Sequence, residues 1–390
     1  MKSYDIIVIG AGIAGAAIAY ELIQKGVSVL LLEKNPNPDS ATIHSYGGLA
    51  FWSGTTELTR QLCNEGRSRY ENLLTELDND IEYRELDLLL TISTENEPKK
   101  IAKSYQSFAI PPKLLSIKEA CELEPQLNKE GISGALTVKH GHINPIKLTQ
   151  AYIQTFLRLG GDIKFASVLE LKTISENSQS IIVNTDRGIY ESANAIVCAG
   201  GFSRQLLKAS SIQTQIYFTH AQIIKTPPVG LKLHTLVMPA NLQRFQLESE
   251  STSSDEAWDE LGNQLGWILD PGAVQFLDGS LRLGQISSVF TNPLSKVDSS
   301  ESESALRQGI EKILPTVGKL PGSVCSCLVA FSKDGLPLIG SIPGKDNIHL
   351  FSGFSNPLVI IPPLAKRFAN YLIGNQDNII PLSCPQRFEN

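Results

Sequence analysis

Apolar residues concentrate in short runs from the start of the chain. Tyr4–Ile9 is a β-branched run whose unbroken hydrophobicity suits a parallel strand buried on both faces. Residues 13–25 are rich in alanine, carry Leu22 and Ile23, and read as a helix that stops at Gly26. A second apolar strand over 27–32 ends at Glu33, completing one strand–helix–strand unit. A Pro/Asn/Asp/Ser stretch at 35–40 then breaks the regularity. Residues 55–77 predict a helix capped by Thr55 or Thr56, with Leu58, Leu62, Tyr70, Leu73, Leu74 and Leu77 on one side. Strand-like pieces follow at 81–92 and 134–138, with a helix at 116–123 between them.

Asn144-Pro145 opens another helix, which Gly160-Gly161 closes, and strands are expected at 163–171, 181–185 and 195–198. A second α/β segment therefore spans 144–205. From 215 to 290 the pattern changes to short runs at 216–226, 235–238, 244–248, 266–269, 273–277 and 281–286. Turns separate them, and the spacing predicts an antiparallel sheet. The acidic, serine-rich stretches 248–256 and 298–304 read as solvated loops. The tail returns to α/β character, with a turn and strand at 334–340, a strand at 348–351, an apolar run at 358–361 and a closing helix at 362–373.

Composition narrows the function classes. The chain has 390 residues, a length that favours two domains, and 42% hydrophobic content supplies material for sizeable cores. The balance of 34 basic and 40 acidic residues contains no Lys/Arg run, so no nucleic-acid partner is expected. Six cysteines form neither a CxxC pair nor a zinc-spaced Cys/His cluster, and no metal site is expected. The N-terminal apolar stretch is short and interrupted by Gly10, Gly12 and Gly15, so no membrane-spanning segment is expected. With no secretory pattern, a cytoplasmic setting with reduced thiols is the expectation.

The sharpest chemical signal is Gly10-x-Gly12-x-x-Gly15 between the first strand and helix. Gly10 permits a tight turn, Gly12 a close approach to a pyrophosphate, and Gly15 close helix–strand packing. Ile13 and Ala14 open the helix, where free N–H groups and partial positive charge favour phosphates. Glu33 lies 18 residues past Gly15, where a carboxylate accepts ribose hydroxyls, with Lys34 beside it. The interruption at 53–140 and the return of α/β character at 144–205 and 334–373 favour an extended, permanently held FAD over NAD.

These residues resemble the D-amino-acid oxidase-like flavoproteins, a group that includes glycine oxidase, sarcosine oxidase and D-amino-acid dehydrogenases. The resemblance rests on the run from Asp5 to Gly15, Ser45-Tyr46-Gly47-Gly48-Leu49, and Gly141-His142-Ile143-Asn144-Pro145. It continues with the runs 195–201 and 334–340, taken in order along nearly the whole chain. It implies a discontinuous Rossmann-like FAD-binding domain (1–52, 141–213 and 321–390) and a β-sheet substrate domain (53–140 and 214–320). Thr42 and Gly47-Gly48-Leu49 would contact the pyrophosphate–ribityl part and the ring. Val168 would hold adenine through its backbone, and Ala199 and Gly200 would border the nucleotide. Gly353, Phe354, Ser355, Asn356, Pro357 and Leu358 would place N–H groups near the flavin pyrimidine end.

The same resemblance exposes departures. Glycine oxidase-like members carry a carboxylate-gripping arginine where this chain has Val329, and sarcosine oxidase-like members carry a lysine where it has Ile360. Arg60 is similar in position to a carboxylate-binding arginine and is the expected catalytic-site cation; Arg244 and Arg282, on the predicted sheet, are further candidates. Cys327 stands seven residues before Asp334, the spacing at which some members attach FAD through a thioether, yet a buried thiol and non-covalent FAD are expected here. His44, His140, His142 and His220 are expected in structural roles. Phe51 and Trp52 wall the substrate face or pack in the core. The expected function is oxidation of a C–N bond in a small amine or amino acid by hydride transfer to flavin, with the electron acceptor open. The alternatives are oxidation of a 2-hydroxy acid, an NAD-dependent dehydrogenase and a flavin-holding protein without turnover.

Overall fold

The structure is a computed structural model that describes residues 4–173, 180–260 and 262–388. Residues 1–3 and 389–390, at the ends of the sequence-based division, lie outside it.

Two sheets organise the chain. The first has eight strands, with the path Leu338–Ile342, Lys345–Ser352, Gly188–Val197, Tyr4–Ile9, Val29–Glu33 and Asp162–Phe165. Ile181–Thr185 and Val168–Thr173 continue it from Gly188–Val197. The strands from Lys345–Ser352 to Asp162–Phe165 are parallel, with Ile7 opposite both Ala195 and Leu30 and Val197 opposite Leu350. Side chains alternate across this sheet. Ile6, Val8 and Leu31 pack under the helices Ile13–Ile23, Pro145–Arg158 and Pro357–Leu372, while Ile7, Ile9, Leu30 and Leu32 pack on the opposite face with Leu206 and Leu207. Burial on both faces explains why these strands lack a polar alternation.

The second sheet has nine strands. Its path is Ser323–Ser332, Ile216–Lys225, Leu281–Phe290, Gln264–Gln275, Leu236–Pro239, Arg84–Ile92, Gly134–His142 and Gly48–Leu49, with Lys113–Leu115 paired to Gly134–His142. The pairing is antiparallel except where Leu236–Pro239 runs parallel to Arg84–Ile92. The helix Ser299–Ile313 closes the outer face, placing Leu306 and Ile310 against Leu283 and Ile286.

Several elements differ from the sequence expectation. Residues 244–248 belong to the helix Gln243–Ser251, where the Arg244–Glu248 pair at 2.9 Å spans one turn. The stretch 248–256 is no solvated loop, because Glu248, Ser251 and Thr252 are buried there and Ser251 accepts the Trp258 indole N–H at 2.8 Å. The stretch 298–304 starts a helix, with the Asp298 side chain accepting the amides of Ser300 and Glu301. Most of its polar residues face water, whereas Ser302 is buried and donates to Gln222 Oε1 at 2.8 Å, in line with the buried stripe of Leu306, Ile310 and Ile313. The runs 266–269 and 273–277 merge into one bulged strand, Gln264–Gln275. The last helix starts at Pro357, a residue suited to a first helical turn because it needs no N–H there. Gly48–Leu49 and Ser323–Ser332, both expected in the FAD-binding domain, are strands of the second sheet, so the chain crosses between sheets at other points than the expected boundaries. Among the described residues, no helix is long and apolar enough to cross a membrane.

Candidate functional site

The glycine turn is built by contact. Gly10 has φ +102°, and a Cβ there would sit 2.6 Å from the Cys198 carbonyl oxygen. A Cβ on Gly15 would sit 1.7 Å from the Gly10 carbonyl oxygen, so Gly15 sets the helix against the turn and does not line the cavity. The Ala11 amide donates to Glu33 Oε2 at 2.8 Å, and the Ile13 amide to Thr42 Oγ1 at 3.1 Å. The amides of Gly12 and Ala14, both at the cavity, have no protein acceptor among the described residues. Glu33 is 8% exposed and lines the cavity beside Lys34, whose ammonium lies 4.1 Å over the Phe202 ring.

A cavity of about 1280 Å³ begins at this turn. It exceeds the roughly 300–1,000 Å³ of ordinary small-ligand pockets, and suits an extended dinucleotide with a second molecule beside it. Val168, Ala199 and Gly200 border the same end as the glycine turn, and Thr42 and Gly48 line its course. Gly47 and Leu49 do not line it. Gly47, at φ +76°, lies against the Ile143 carbonyl, and Leu49 is fully buried in the core.

Further along, Gly353, Phe354, Ser355, Asn356, Pro357 and Leu358 all reach the cavity. Asn356 Nδ2 donates to the Ala50 carbonyl at 3.3 Å and to Ser53 Oγ at 3.2 Å, tying this turn to the segment after Gly48. The 16-residue helix Pro357–Leu372 points its N-terminus here, and the Leu358 amide has no protein acceptor among the described residues. The partial positive charge of that N-terminus favours an anionic group placed against it.

The histidines divide by surroundings. His140 lines the cavity, accepts the Trp52 indole N–H on Nδ1 at 3.1 Å, and is held down at about 4 by burial. It is therefore neutral, with its proton on Nε2. His142 is pushed down to about 3 by burial first, then by Arg84 and His140. His44 meets Asp39 at the cavity wall; burial lowers it, and so do Lys225 and Arg282, against the pull of Asp39. His220 is buried away from the lining and faces the Asn292 carbonyl. Tyr46 also lines the cavity, and its buried hydroxyl has no protein partner among the described residues.

The expected cations are not gathered as the sequence suggested. Arg60 is exposed and absent from the lining: its Nη2 donates to the Ser107 carbonyl at 2.8 Å and its Nε reaches the Gly54 carbonyl at 3.5 Å. The start of its helix turns Leu58, Thr59 and Leu62 to the cavity instead. Arg282 lies outside the lining and stacks 4.8 Å over the Phe276 ring. Arg244 does line the cavity, from a helix and not from the expected strand. Cys327, Val329 and Ile360 all line it too, and burial pushes the Cys327 thiol up to about 12. Trp52 is on the wall, whereas Phe51 packs in the core.

The sequence reading missed the apolar wall. Leu88 pairs with Leu236, and Leu90 with Met238, where two distant segments run parallel. All four line the cavity, with Tyr105 and Phe108 beside them. No spacing in the chain signals this wall, because pairing across the sheet creates it.

The chain matches the family described as FAD dependent oxidoreductase over residues 5–371. It is 23% identical to a glycine oxidase of Bacillus licheniformis over 390 residues, covering 96% of this chain and 94% of that protein. It is 28% identical to a 4-methylaminobutanoate oxidase (formaldehyde-forming) of Paenarthrobacter nicotinovorans, over 94% of this chain and 43% of that longer protein. Among solved structures, a glycine oxidase from Geobacillus kaustophilus superposes with a TM-score of 0.80 at 19% identity, covering 98% of each chain.

Proposed function

Because this chain belongs to the FAD dependent oxidoreductase family, we propose that it oxidises the C–N bond of a small amine or amino acid. A hydride leaves the carbon bearing nitrogen and a proton leaves the nitrogen. The imine so formed is hydrolysed by water to a carbonyl compound and ammonia or an amine. Bound FAD supplies the two-electron acceptor for that hydride.

The observation that carries this reading is the continuity of one cavity from the Gly12 and Ala14 amides to the apolar wall of the second sheet. The first-sheet unit would hold the dinucleotide and the second-sheet unit the substrate. The Gly12 and Ala14 amides would take the pyrophosphate, and Glu33 would accept the ribose hydroxyls. The Leu358 amide, at a helix N-terminus, would stabilise negative charge at the ring edge. His140, kept neutral by burial, adds no charge to the cavity wall, and the apolar wall would exclude water from the reacting carbon. Relatives named glycine oxidase and 4-methylaminobutanoate oxidase support an amine substrate, while others named L-2-hydroxyglutarate dehydrogenase keep 2-hydroxy acids in the test panel.

The test is anaerobic mixing of the yellow holoprotein with a panel of amines, amino acids and 2-hydroxy acids. Bleaching of the flavin bands by a compound with a C–N bond is the expected result. Bleaching by hydroxy acids alone would overturn it.

A further inference from the structure

We propose that the substrate is an amino acid whose carboxylate is held by Arg244 and whose bulky apolar side chain fills the chamber at the second sheet. This inference rests on the amine-oxidation reading above and names the substrate class of that site.

Arg244 is the one arginine in the cavity lining among the described residues, and Lys34, the one lysine there, lies beside Glu33 at the glycine-turn end. Arg244 Nε donates to Glu248 Oε1 at 2.9 Å, and Glu248 is further held by Thr219 Oγ1 at 3.3 Å. Glu248 itself stays out of the lining. The pair thus fixes the guanidinium by its inner nitrogen. Both terminal nitrogens of Arg244 have no acceptor among the described residues. A planar fork tethered at Nε, with its two outer nitrogens free at a cavity, matches a carboxylate in two-point fashion. Val329 and Ile360, which also line the cavity, carry no charge, so the anchoring cation comes from this helix.

The chamber beside it argues for bulk. Leu88 and Leu90 sit in register with Leu236 and Met238, and the Phe108 ring lies 5.2 Å from that of Trp52. These side chains offer almost no hydrogen-bonding groups, since the Trp52 N–H is already taken by His140. A substrate as small as glycine would leave this wall unfilled, whereas an aromatic or long aliphatic side chain would bury it.

The test uses the flavin-loaded protein and non-reacting probes, read by perturbation of the flavin absorption. 3-Phenylpropanoate is expected to bind about tenfold or more tighter than acetate. Arg244→Met should weaken 3-phenylpropanoate about tenfold or more while leaving 3-phenylpropanamide within about twofold, and Arg244→Lys should recover part of the loss. Should Arg244→Met lose its flavin because Glu248 is left unpaired, Phe108→Ala tests the chamber alone: it should weaken 3-phenylpropanoate and spare acetate. In anaerobic bleaching, phenylalanine, leucine or methionine of one enantiomer should outpace glycine and sarcosine. Equal binding of acetate and 3-phenylpropanoate, an indifferent Arg244→Met protein, or glycine as the fastest reductant would overturn the inference and leave amine oxidation standing. Probe binding as described, with no amine bleaching the flavin, would instead overturn amine oxidation and leave the ligand class standing.

Discussion

The Tyr70 hydroxyl donates to the Leu358 carbonyl at 2.7 Å, and that carbonyl is the one Pro362 leaves without a helical donor. A proline inside a helix removes the N–H that would reach four residues back. Here a side chain from the helix Glu57–Glu76 takes its place, next to a residue at the cavity. Tyr70→Phe should leave a buried carbonyl unpaired and cost about 1–3 kcal/mol. Denaturant unfolding would measure this, and an unchanged midpoint would show that the carbonyl is satisfied otherwise.

Glu33→Ala should weaken FAD binding by about tenfold to a hundredfold, from the loss of charged hydrogen bonds of roughly 1–3 kcal/mol. The same carboxylate steadies the glycine turn through the Ala11 amide, so the variant should also melt earlier. Titration of apoprotein with FAD, followed by flavin fluorescence, gives the affinity. A folded variant with wild-type affinity would remove Glu33 from the ribose.

Arg60→Ala should leave kcat/KM within about twofold of wild type, because its guanidinium is spent on backbone carbonyls at the surface. Steady-state kinetics on the substrate found by anaerobic bleaching would check it. A tenfold loss would mean that the helix start reorganises when substrate binds.

FAD should be held without a covalent bond. Attachment through Cys327 needs the thiolate, and burial pushes this thiol up to about 12. Acid precipitation should leave the yellow colour in the supernatant. A fluorescent band on a denaturing gel is the contrary result.

Stability should fall with acid in a window set by three buried imidazoles. Burial holds His140 and His349 down at about 4 and His142 at about 3 in the folded chain, against 6.5 for an unperturbed histidine. As pH drops below about 6.5 the unfolded chain takes up protons first, so it gains relative to the folded one. The stabilisation is complete above about 6.5 and is lost as pH falls toward 4 and then 3. Denaturant unfolding at a series of pH values should show this decline, and His142→Gln should flatten it. A pH-independent midpoint across that range would contradict the neutral imidazoles.

Local chemistry was legible in the chain, and assembled chemistry was not. The turn at Gly10, Gly12 and Gly15 is specified by neighbours within a few residues, and the same holds for Asn144, whose side chain caps the helix it was expected to open. Residues 244–248 misled because their composition suits a strand on a half-buried surface, while the i,i+4 pair and the seat of Leu247 favour a helix. Arg60 misled because likeness of position along a helix does not fix the direction of a long side chain. The wall of Leu88, Leu90, Leu236 and Met238 depends on a strand pairing between distant segments, which periodicity within either segment does not encode.

The parallel order of the first sheet sets a schedule for synthesis. Tyr4–Ile9 lies between Val29–Glu33 and Gly188–Val197, and Gly188–Val197 lies between it and Lys345–Ser352. A growing chain therefore carries its first strand with one unpaired edge until residue 197 has emerged, and the parallel core stays open until residue 352. An apolar strand waiting that long is a template for wrong partners. Translation of the middle and tail, and whatever shields the waiting edge meanwhile, governs how much of this protein reaches a form able to retain its flavin.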